Sequence, residues 1–254
     1  MDLGLGGKRV VITGASKGIG YACAEGFAAE GCDVLLAARE PQAAAERLRA
    51  QHQVRVEALA VDLSRPEERA RLHAAAREAD ILVNNAGAIP SGHIADITME
   101  RWAEAWQLKV FGYFHLTQLF LADMRARKSG VIVNIIGMAG RAWKANYIAG
   151  TAGNAALIAF TSALGGEAQK DGVRVFGINP AVTRTERMET QARTRAAKEL
   201  GDPDRWPEMV KGLPFDRPIE PREIADLAVF GASARAAYLA GTVVDVDGGG
   251  QFKA

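Results

Sequence analysis

The sequence predicts a single α/β domain built on a doubly wound parallel sheet. Short β-branched runs alternate along the chain with longer, alanine-rich segments, and this alternation of strand and helix is typical of such a fold. Several of the short runs are continuously apolar, as expected of strands that are covered on both faces. The connections between the segments are short, so we expect one domain over residues 1–254 and no linker.

The predicted elements follow one another in a regular order. Strands are expected at 10–12, 34–36, 54–61, 81–83, 131–136, 173–178 and 243–246, and helices at 19–30, 41–51, 66–78, 99–127, 147–170 and 222–234. Gly31 and Gly172 come directly after two of these helices, where a C-terminal glycine is favoured. Ser64 is the expected cap of the helix that Pro66 opens. A polar segment with three prolines, residues 186–214, interrupts the rhythm, and its nearly balanced charges favour a solvated helical lid over an anion-binding surface.

The charge balance argues against several classes of protein. The 31 basic and 30 acidic residues give a formal net charge of +1, which does not favour a nucleic-acid-binding protein or a polybasic membrane anchor. No apolar run reaches the roughly 20 residues that span a bilayer. Residues 1–8 lack the apolar core of a signal peptide. We therefore expect a cytoplasmic protein with no nucleic-acid or membrane partner.

The cysteines and histidines do not predict a metal site. Cys23 and Cys32 are the two cysteines of the chain and form no CxxC pair, and a cytoplasmic protein keeps such thiols reduced. The four histidines lack the spacing of a metal-binding motif. We therefore expect no disulfide and no bound metal.

A glycine-rich loop lies between the first predicted strand and the first predicted helix. It reads Thr13-Gly14-Ala15-Ser16-Lys17-Gly18-Ile19-Gly20. Glycines in such a loop let the backbone turn tightly and approach a pyrophosphate at the helix N-terminus. An ordinary strand-to-helix turn is the alternative, but a dinucleotide-binding fold requires a loop of this kind at this position.

The spacing of these glycines after Thr13 resembles that of the short-chain dehydrogenase/reductase family. Further matches follow in the order of that family: Asp62, Asn84-Asn85-Ala86-Gly87, Asn179-Pro180 with Thr183 and Thr185, and Val246-Asp247-Gly248-Gly249. The resemblance covers essentially the whole chain. It implies a Rossmann fold, an oxidoreductase that uses a nicotinamide cofactor on a small carbonyl or alcohol substrate, and a homodimer or homotetramer.

The resemblance also implies which residues hold the cofactor. They are Gly14, Ser16, Lys17, Gly18, Ile19, Gly20, Arg39, Asp62, Leu63, Asn85, Ala86, Gly87, Tyr147, Pro180, Thr183 and Thr185. Charge favours NADP, because Arg39 after the second strand and Lys17 in the glycine loop suit a 2′-phosphate. Glu40 keeps NAD as the less favoured alternative, since an acidic residue near this position accepts from the ribose 2′-hydroxyl.

The catalytic positions are where the sequence departs from the family. The family uses an asparagine, a serine, and the tyrosine and lysine of a YxxxK motif. Tyr147 is retained, whereas Lys109 stands at the asparagine position, Gly137 at the serine position and Thr151 at the lysine position.

Lys109 is the second predicted catalytic residue. It lies on an otherwise apolar helical face, which favours a side chain turned inward toward a polar cavity; a lysine that reaches back to the surface is the alternative. An inward ammonium would bind the nicotinamide ribose or lie near the Tyr147 hydroxyl, and would partly replace the missing lysine. Because a neutral tyrosine is sufficient to donate a proton, reduction of a carbonyl is the favoured direction.

Two other functions stay open at this point. The first is a dinucleotide-binding protein with little or no catalysis, which the three replaced catalytic residues favour. The second is non-redox chemistry on the same scaffold, against which the intact glycine loop argues. The sequence does not identify the substrate.

Overall fold

The computed structural model describes residues 1–252 and confirms the predicted parallel sheet. Seven strands pair in the order β3-β2-β1-β4-β5-β6-β7. They are β1 (Arg9–Thr13), β2 (Asp33–Ala38), β3 (Val56–Ala60), β4 (Ile81–Asn84), β5 (Gly130–Ile135), β6 (Val173–Pro180) and β7 (Val243–Val246). The strand order reverses between β1 and β4, and the crevice at the carboxyl ends of these strands is where doubly wound sheets bind ligands. We call this crevice the cleft.

Helices cover both faces of the sheet. They are α1 (Gly18–Ala29), α2 (Gln42–Gln51), α3 (Pro66–Ala75), α4 (Met99–Leu108), α5 (Val110–Arg127), α6 (Ile148–Ala168), α7 (Glu186–Leu200) and α8 (Pro221–Ala232). Apolar residues of α1, α2 and α8 pack on one face, and those of α3, α5 and α6 pack on the other. The sheet is therefore the middle layer of three.

Burial on both faces explains the continuous apolar runs. In β1, Val10 and Ile12 pack toward α1 and α8, while Val11 between them packs toward α3 and α5. All three side chains are completely buried. Since successive side chains of a strand point to opposite faces, a strand in the middle layer needs apolar residues at every position.

One predicted helix is divided in two. The expected helix over 99–127 ends at Leu108 and begins again at Val110, with Lys109 between them. The backbone bonds that join the two halves are long: Lys109 N lies 3.4 Å from the oxygen of Ala105, and Tyr113 N lies 3.2 Å from the oxygen of Lys109. The helix is therefore interrupted at the residue predicted to be catalytic.

Helix α6 and the 3-10 turn that follows it form one apolar segment, residues 148–171. An 18-residue window of this segment has a mean hydropathy of 1.3, so the segment is long and apolar enough to cross a membrane by length and composition. Leu157, Thr161 and Ala168 of this helix are completely buried in the domain. Packing within the domain therefore accounts for part of the apolar length, since 39% of that window is buried.

The segment 186–214 is largely helical, as expected. Helix α7 is followed by 3-10 turns at Pro203–Val210 and Pro214–Asp216. The guanidinium of Arg193 lies 5.9 Å from the centre of the Trp206 ring, so the segment folds against itself. We call residues 186–214 the lid segment.

The cysteine and histidine side chains form no metal site within residues 1–252, where no group of three or more potential ligands is brought together. Cys23 and Cys32 are buried free thiols, and burial raises the pKa of each to about 12. Both thiols therefore stay protonated at neutral pH.

Candidate active site

The glycine-rich loop forms a tight cradle between β1 and α1. Gly14 and Gly18 have positive φ angles of 65° and 59°, a conformation that costs other residues free energy. A Cβ atom at Gly20 would collide with the carbonyl oxygen of Gly14. The loop therefore needs glycine at all three positions, and it leads directly into the N-terminus of α1, where backbone N–H groups favour an anion.

Thr13 connects this loop to the turn after β4. Its hydroxyl oxygen accepts hydrogen bonds from the backbone N–H groups of Asn85, at 2.8 Å, and Ala86, at 3.0 Å. The Asn85 side chain donates in return to the oxygen of Thr13, at 2.9 Å. These bonds fix the two loops that would enclose a dinucleotide, at the point where the strand order reverses.

The end of the cleft that follows β2 and β3, where we expect the adenosine, carries a cation, Arg39, near an anion, Asp62. Asp62 follows β3 and accepts from the Ser64 hydroxyl at 2.7 Å. This hydrogen bond, helped by the nearby charge of Arg39, lowers the pKa of Asp62. Ser64 is thus engaged with Asp62, and Arg65, not Ser64, occupies the cap position of α3. Arg39 is exposed and, within residues 1–252, forms no ion pair with a carboxylate.

Lys17 points away from Arg39, toward the lid segment. Its ammonium lies 2.5 Å from a carboxylate oxygen of Glu186, and both side chains are well exposed. Thr185, the residue before Glu186, caps α7 by accepting from the N–H of Met188 at 3.2 Å. A Cβ atom at Gly18 would lie 3.1 Å from the Thr185 side chain, so the start of α7 lies against the glycine-rich loop.

The other predicted cofactor residues lie around the same cleft. Pro180 ends β6, and Thr183, three residues further on, pairs through its backbone with Ile219. Leu63, the residue after Asp62, is buried. The structure therefore brings the residues of the predicted cofactor site to the carboxyl edge of one sheet.

Tyr147 stands at the N-terminus of α6, at the edge of the cleft. Its ring covers Gly150, so closely that a Cβ atom at Gly150 would collide with the ring. The backbone around it pairs with the loop after β4, where the N–H of Gly92 donates to the oxygen of Asn146 at 2.8 Å. Burial raises the pKa of Tyr147, and the charge and N–H groups of Arg187 oppose part of that effect.

Thr151 has a local structural role. Its hydroxyl accepts from the N–H of Lys144 at 3.2 Å and donates to the oxygen of Lys144 at 3.1 Å. Thr151 therefore holds the loop that precedes Tyr147.

Gly137, at the end of β5, has a φ angle of 136°, which side chains other than that of glycine rarely tolerate. Its N–H donates to the Asn179 side chain at 3.2 Å, and Asn179 donates in turn to Asp245 at 2.8 Å. Across from Gly137, the side-chain oxygen of Asn154 is buried without a hydrogen-bond partner among the described residues. The strand end is thus held by Asn179, and a Cβ atom at Gly137 would lie 3.3 Å from the side-chain nitrogen of Asn154.

Lys109 turns into the cleft. Its ammonium donates to the backbone oxygen of Ile136 at 2.6 Å, and its methylene carbons lie against Gly87, where a Cβ atom would be 2.7 Å from Cδ. Burial, with a smaller contribution from the positive charge of Arg187, lowers the pKa of Lys109 to about 7. Near neutral pH this lysine is therefore close to the midpoint of its titration.

Comparison with known proteins gives the family. Residues 8–196 match the family described as short chain dehydrogenase. The chain belongs to the short-chain dehydrogenase family. Among its relatives, the 3-oxoacyl-(acyl-carrier-protein) reductase FabG of Vibrio cholerae is 32% identical, over 97% of this chain and 98% of that protein. The D-beta-hydroxybutyrate dehydrogenase of Cupriavidus necator is 31% identical, over 96% of this chain and 98% of that one.

Solved structures of short-chain dehydrogenases have the same architecture. The L-sorbose reductase of Gluconobacter frateurii, complexed with NADPH and L-sorbose, superposes with a TM-score of 0.91 at 35% identity, and 98% of each chain is covered. A variant of actinorhodin polyketide ketoreductase, with NADPH, has a TM-score of 0.90 at 26% identity, over 96% of this chain and 97% of that chain. Both similarities extend over nearly the whole domain.

Two residues of this short-chain dehydrogenase site were missed in the sequence. Arg187 extends from α7 into the cleft and donates to the backbone oxygens of Gly87 and Ile89, each at 2.9 Å. The second missed residue is Asn154, the buried polar side chain across from Gly137. The sequence holds seven basic and six acidic residues from Arg184 to Lys211, and nothing in this near-balanced run distinguishes Arg187, which is exposed but binds the backbone of the loop after β4. Asn154 carried no local signal, because it sits in a continuous helical pattern.

Proposed function

We propose that the protein is an NADPH-dependent reductase that converts a carbonyl to an alcohol. The observation that favours reduction over oxidation is the environment of Tyr147, which stands at the edge of the cleft. Burial raises the pKa of Tyr147, so the phenol is neutral at physiological pH. A neutral phenol donates a proton, as reduction requires, whereas oxidation of an alcohol requires the phenolate.

The cradle fits a dinucleotide, and the charges favour NADP. The turn is so tight that a Cβ atom at Gly20 would collide with the oxygen of Gly14, and a glycine turn of this kind lets the backbone approach a pyrophosphate at the N-terminus of α1. Arg39 is the free cation at the adenosine end and suits bidentate contact with a 2′-phosphate. Lys17 adds a second cation once its exposed ion pair with Glu186 opens, and such pairs contribute only about 0–1 kcal/mol. Relatives of this fold solved with NADPH support the assignment.

Each remaining group has a proposed part in the reaction. A bound reduced nicotinamide supplies a hydride to the carbonyl carbon of the substrate. Tyr147 gives its hydroxyl proton to the carbonyl oxygen, and the resulting phenolate regains a proton from solvent. Lys109 is held at Ile136, beside Gly137. When the Lys109 amine is protonated, its two further N–H groups can bind the substrate oxygen. In this proposal Lys109 takes over the contact that a serine at Gly137 would make.

The lid segment is proposed to cover the substrate. Its first helix starts against the glycine-rich loop, through Thr185 above Gly18 and through the pair of Glu186 with Lys17. A helix fixed at one end beside the cofactor site can close over the cleft by small changes at its start. The domain would then comprise residues 1–254 with a mobile cover at 186–214.

A dinucleotide-binding protein with little catalysis is the second candidate. It is favoured by the fixed conformation of two replaced positions: Thr151 is engaged with Lys144, and Gly137 has a backbone that disfavours serine. In this case NADPH would bind without a productive contact to any carbonyl. The cytoplasmic location and the homodimer or homotetramer stay predictions under either function.

Two measurements separate these functions. Thermal unfolding is followed with NADPH, NADH, NADP⁺ and NAD⁺, since a ligand that binds the folded state raises the midpoint. NADPH oxidation is then followed with a panel of ketones, aldehydes and oxo acids, with Tyr147→Phe as the control. Turnover that Tyr147→Phe abolishes supports the reductase. Binding without turnover supports the second candidate, and no stabilisation by any of the four nucleotides contradicts both.

A further inference from the structure

The charge that acts on the Tyr147 hydroxyl comes from the lid segment. Thr151 follows Tyr147 by four residues, and its hydroxyl is engaged with the backbone of Lys144. Arg187, the second residue of α7, donates to the backbone oxygen of Ile89, and Ile89 belongs to the packed cluster that contains Tyr147. The charge and N–H groups of Arg187 lower the pKa of Tyr147, against the larger effect of burial. A tyrosine that must release a proton needs a nearby positive charge or hydrogen-bond donor.

The contacts of Arg187 fix its guanidinium in the cleft. One terminal nitrogen donates to the oxygen of Gly87 and the other to the oxygen of Ile89, both at 2.9 Å. Both acceptors are neutral backbone groups, and within residues 1–252 Arg187 forms no ion pair with a carboxylate. Its positive charge is therefore not neutralised, although it is held in place by a planar two-point contact.

We propose that Arg187 is a positioning residue that holds the Tyr147 hydroxyl and stabilises the phenolate formed when Tyr147 gives its proton to the substrate. This inference rests on the proposed reductase function. The O–H bond of Tyr147 breaks, the proton joins the carbonyl oxygen, and the electron pair stays on the phenolate, while Arg187 remains protonated throughout. An opposite charge at hydrogen-bonding distance shifts such an equilibrium by roughly 1–3 pKa units.

The other charged groups around the tyrosine do not replace Arg187. Lys109, at the junction of α4 and α5, faces Arg187 and is destabilised as a cation by it, while its ammonium is bound to Ile136. The α4 side chains near Tyr147, Trp102 and Trp106, are apolar in this cluster. Arg187 is thus the group whose charge opposes the burial of Tyr147.

The position of Arg187 depends on how α7 begins. The start of α7 is held by its Thr185 cap and by the pair of Glu186 with Lys17. Arg187 directly follows these two residues. The attachment of the lid segment to the glycine-rich loop therefore places the Arg187 charge at the site.

The test measures the titration of Tyr147 in the protein without cofactor or substrate. The chain has four tyrosines, so 3-fluorotyrosine gives four fluorine NMR signals, and Tyr147→Phe identifies the relevant one. Arg187→Met is expected to raise the pKa of Tyr147 by about one unit or more. Arg195→Met is the matched control, because Arg195 lies on the same helix but pairs with Glu199 on the surface, and it should leave the titration unchanged.

A second set of variants moves the charge. In the Arg187→Met background, Thr151→Lys places a cation four residues after Tyr147 and should return the pKa of Tyr147 toward that of the unsubstituted protein. Thr151→Met, which removes the same hydroxyl without adding charge, should not. If Arg187→Met does not fold, Arg187→Lys, which keeps the charge but loses the planar fork, should show a smaller rise in the same direction.

The outcomes are decisive either way. An unchanged Tyr147 titration in folded Arg187→Met, or one that responds to Lys109→Met instead, overturns the proposal. Because this measurement needs no turnover, it is independent of the reductase assay: a protein that binds no nucleotide refutes the proposed function and leaves the titration result standing. In an active enzyme, the pH profile of kcat should shift with Arg187→Met in the same direction as the pKa of Tyr147.

Discussion

The ammonium of Lys109 lies 2.6 Å from the backbone oxygen of Ile136. This bond joins the break between α4 and α5 to the end of β5, directly beside Gly137. A lysine in an apolar helical stripe must reach a polar partner, because an unpaired buried ammonium is unstable. The partner is a carbonyl at the mouth of the cleft, so the positive charge is delivered to the site and not to the surface.

The cofactor preference depends on Arg39. Arg39→Ala is expected to remove most of the preference for NADPH over NADH, a difference of about 1–3 kcal/mol from charge-assisted contacts. Isothermal titration with both nucleotides measures it. Arg55→Ala is the control, because Arg55 is an exposed arginine at the opposite, amino end of β3, paired with Glu57. Equal affinities for the two nucleotides in the unsubstituted protein would contradict the assignment of NADP.

The glycine cradle should not tolerate an acidic side chain. A Cβ atom at Gly14 would lie 3.0 Å from Cα of Ala86, and a carboxylate there would repel the pyrophosphate. Gly14→Asp is expected to abolish nucleotide binding in the thermal-unfolding assay. Gly4→Asp is the matched control, with a similar φ angle of 63° and open space around it. Nucleotide binding retained by Gly14→Asp would place the cofactor elsewhere.

Restoring the serine of the family at Gly137 is expected to destabilise the protein. The φ angle of 136° is accessible essentially to glycine alone, and strain of this kind costs about 1–3 kcal/mol. Chemical denaturation of Gly137→Ser measures the loss, and Gly137→Ala separates backbone strain from any effect of the hydroxyl. A Gly137→Ser protein as stable as the unsubstituted one would show that the backbone relaxes at this position.

The position of the Tyr147 ring depends on Gly150. Alanine normally stabilises a helix relative to glycine by up to about 1 kcal/mol, but a methyl group at Gly150 would collide with the ring. Gly150→Ala is therefore expected to displace Tyr147 and lower the reductase rate while nucleotide binding persists. Gly166→Ala, on the same helix with open space around it, should keep full activity and gain stability. Full activity in Gly150→Ala would mean that the ring is not held there.

Local patterns in the sequence were sufficient for the sheet and the cofactor loops. The strands of a middle layer are apolar at every position, and the glycines of the cradle have conformations that other residues avoid, so both leave a signal in a few neighbouring residues. The same kind of local signal singled out Tyr147, at the tyrosine position of the family, and Lys109, which interrupts an apolar stripe; their catalytic roles stay predictions.

Features that depend on distant contacts could not be predicted in this way. Arg187 reaches the cleft because Thr185 and Glu186 anchor α7 against the glycine-rich loop, a contact between segments about 170 residues apart. The break at Lys109 also depends on a bond across the fold, to Ile136. The sequence shows that Arg187 and Lys109 are charged, but only the packing of the fold decides that their side chains reach the cleft.

Lys109 is expected to matter for rate and for the pH dependence of stability. Its ammonium is proposed to bind the substrate oxygen, so Lys109→Met should keep the fold and lower the reductase rate by roughly 10- to 10⁴-fold. Tyr147→Phe should cost at least as much. The double variant should be little worse than the poorer single variant, since the two groups act on one proton transfer.

The pH dependence follows from the lowered pKa of Lys109. Burial moves that pKa from its ordinary 10.5 to about 7, so between these values the unfolded chain binds a proton that the folded protein has released. Stability then rises with pH across this range, and the penalty of the buried charge is complete below about pH 7. Lys109→Met removes the penalty, so its stabilising effect, measured by chemical denaturation, should be larger near about pH 6 than near about pH 10. Two results together would contradict this role: a stability difference between Lys109→Met and the unsubstituted protein that does not vary with pH, and an unchanged reductase rate. They would show that Lys109 is neither buried as a cation nor part of the site. A dinucleotide-binding protein with little catalysis would then be the better account of this chain.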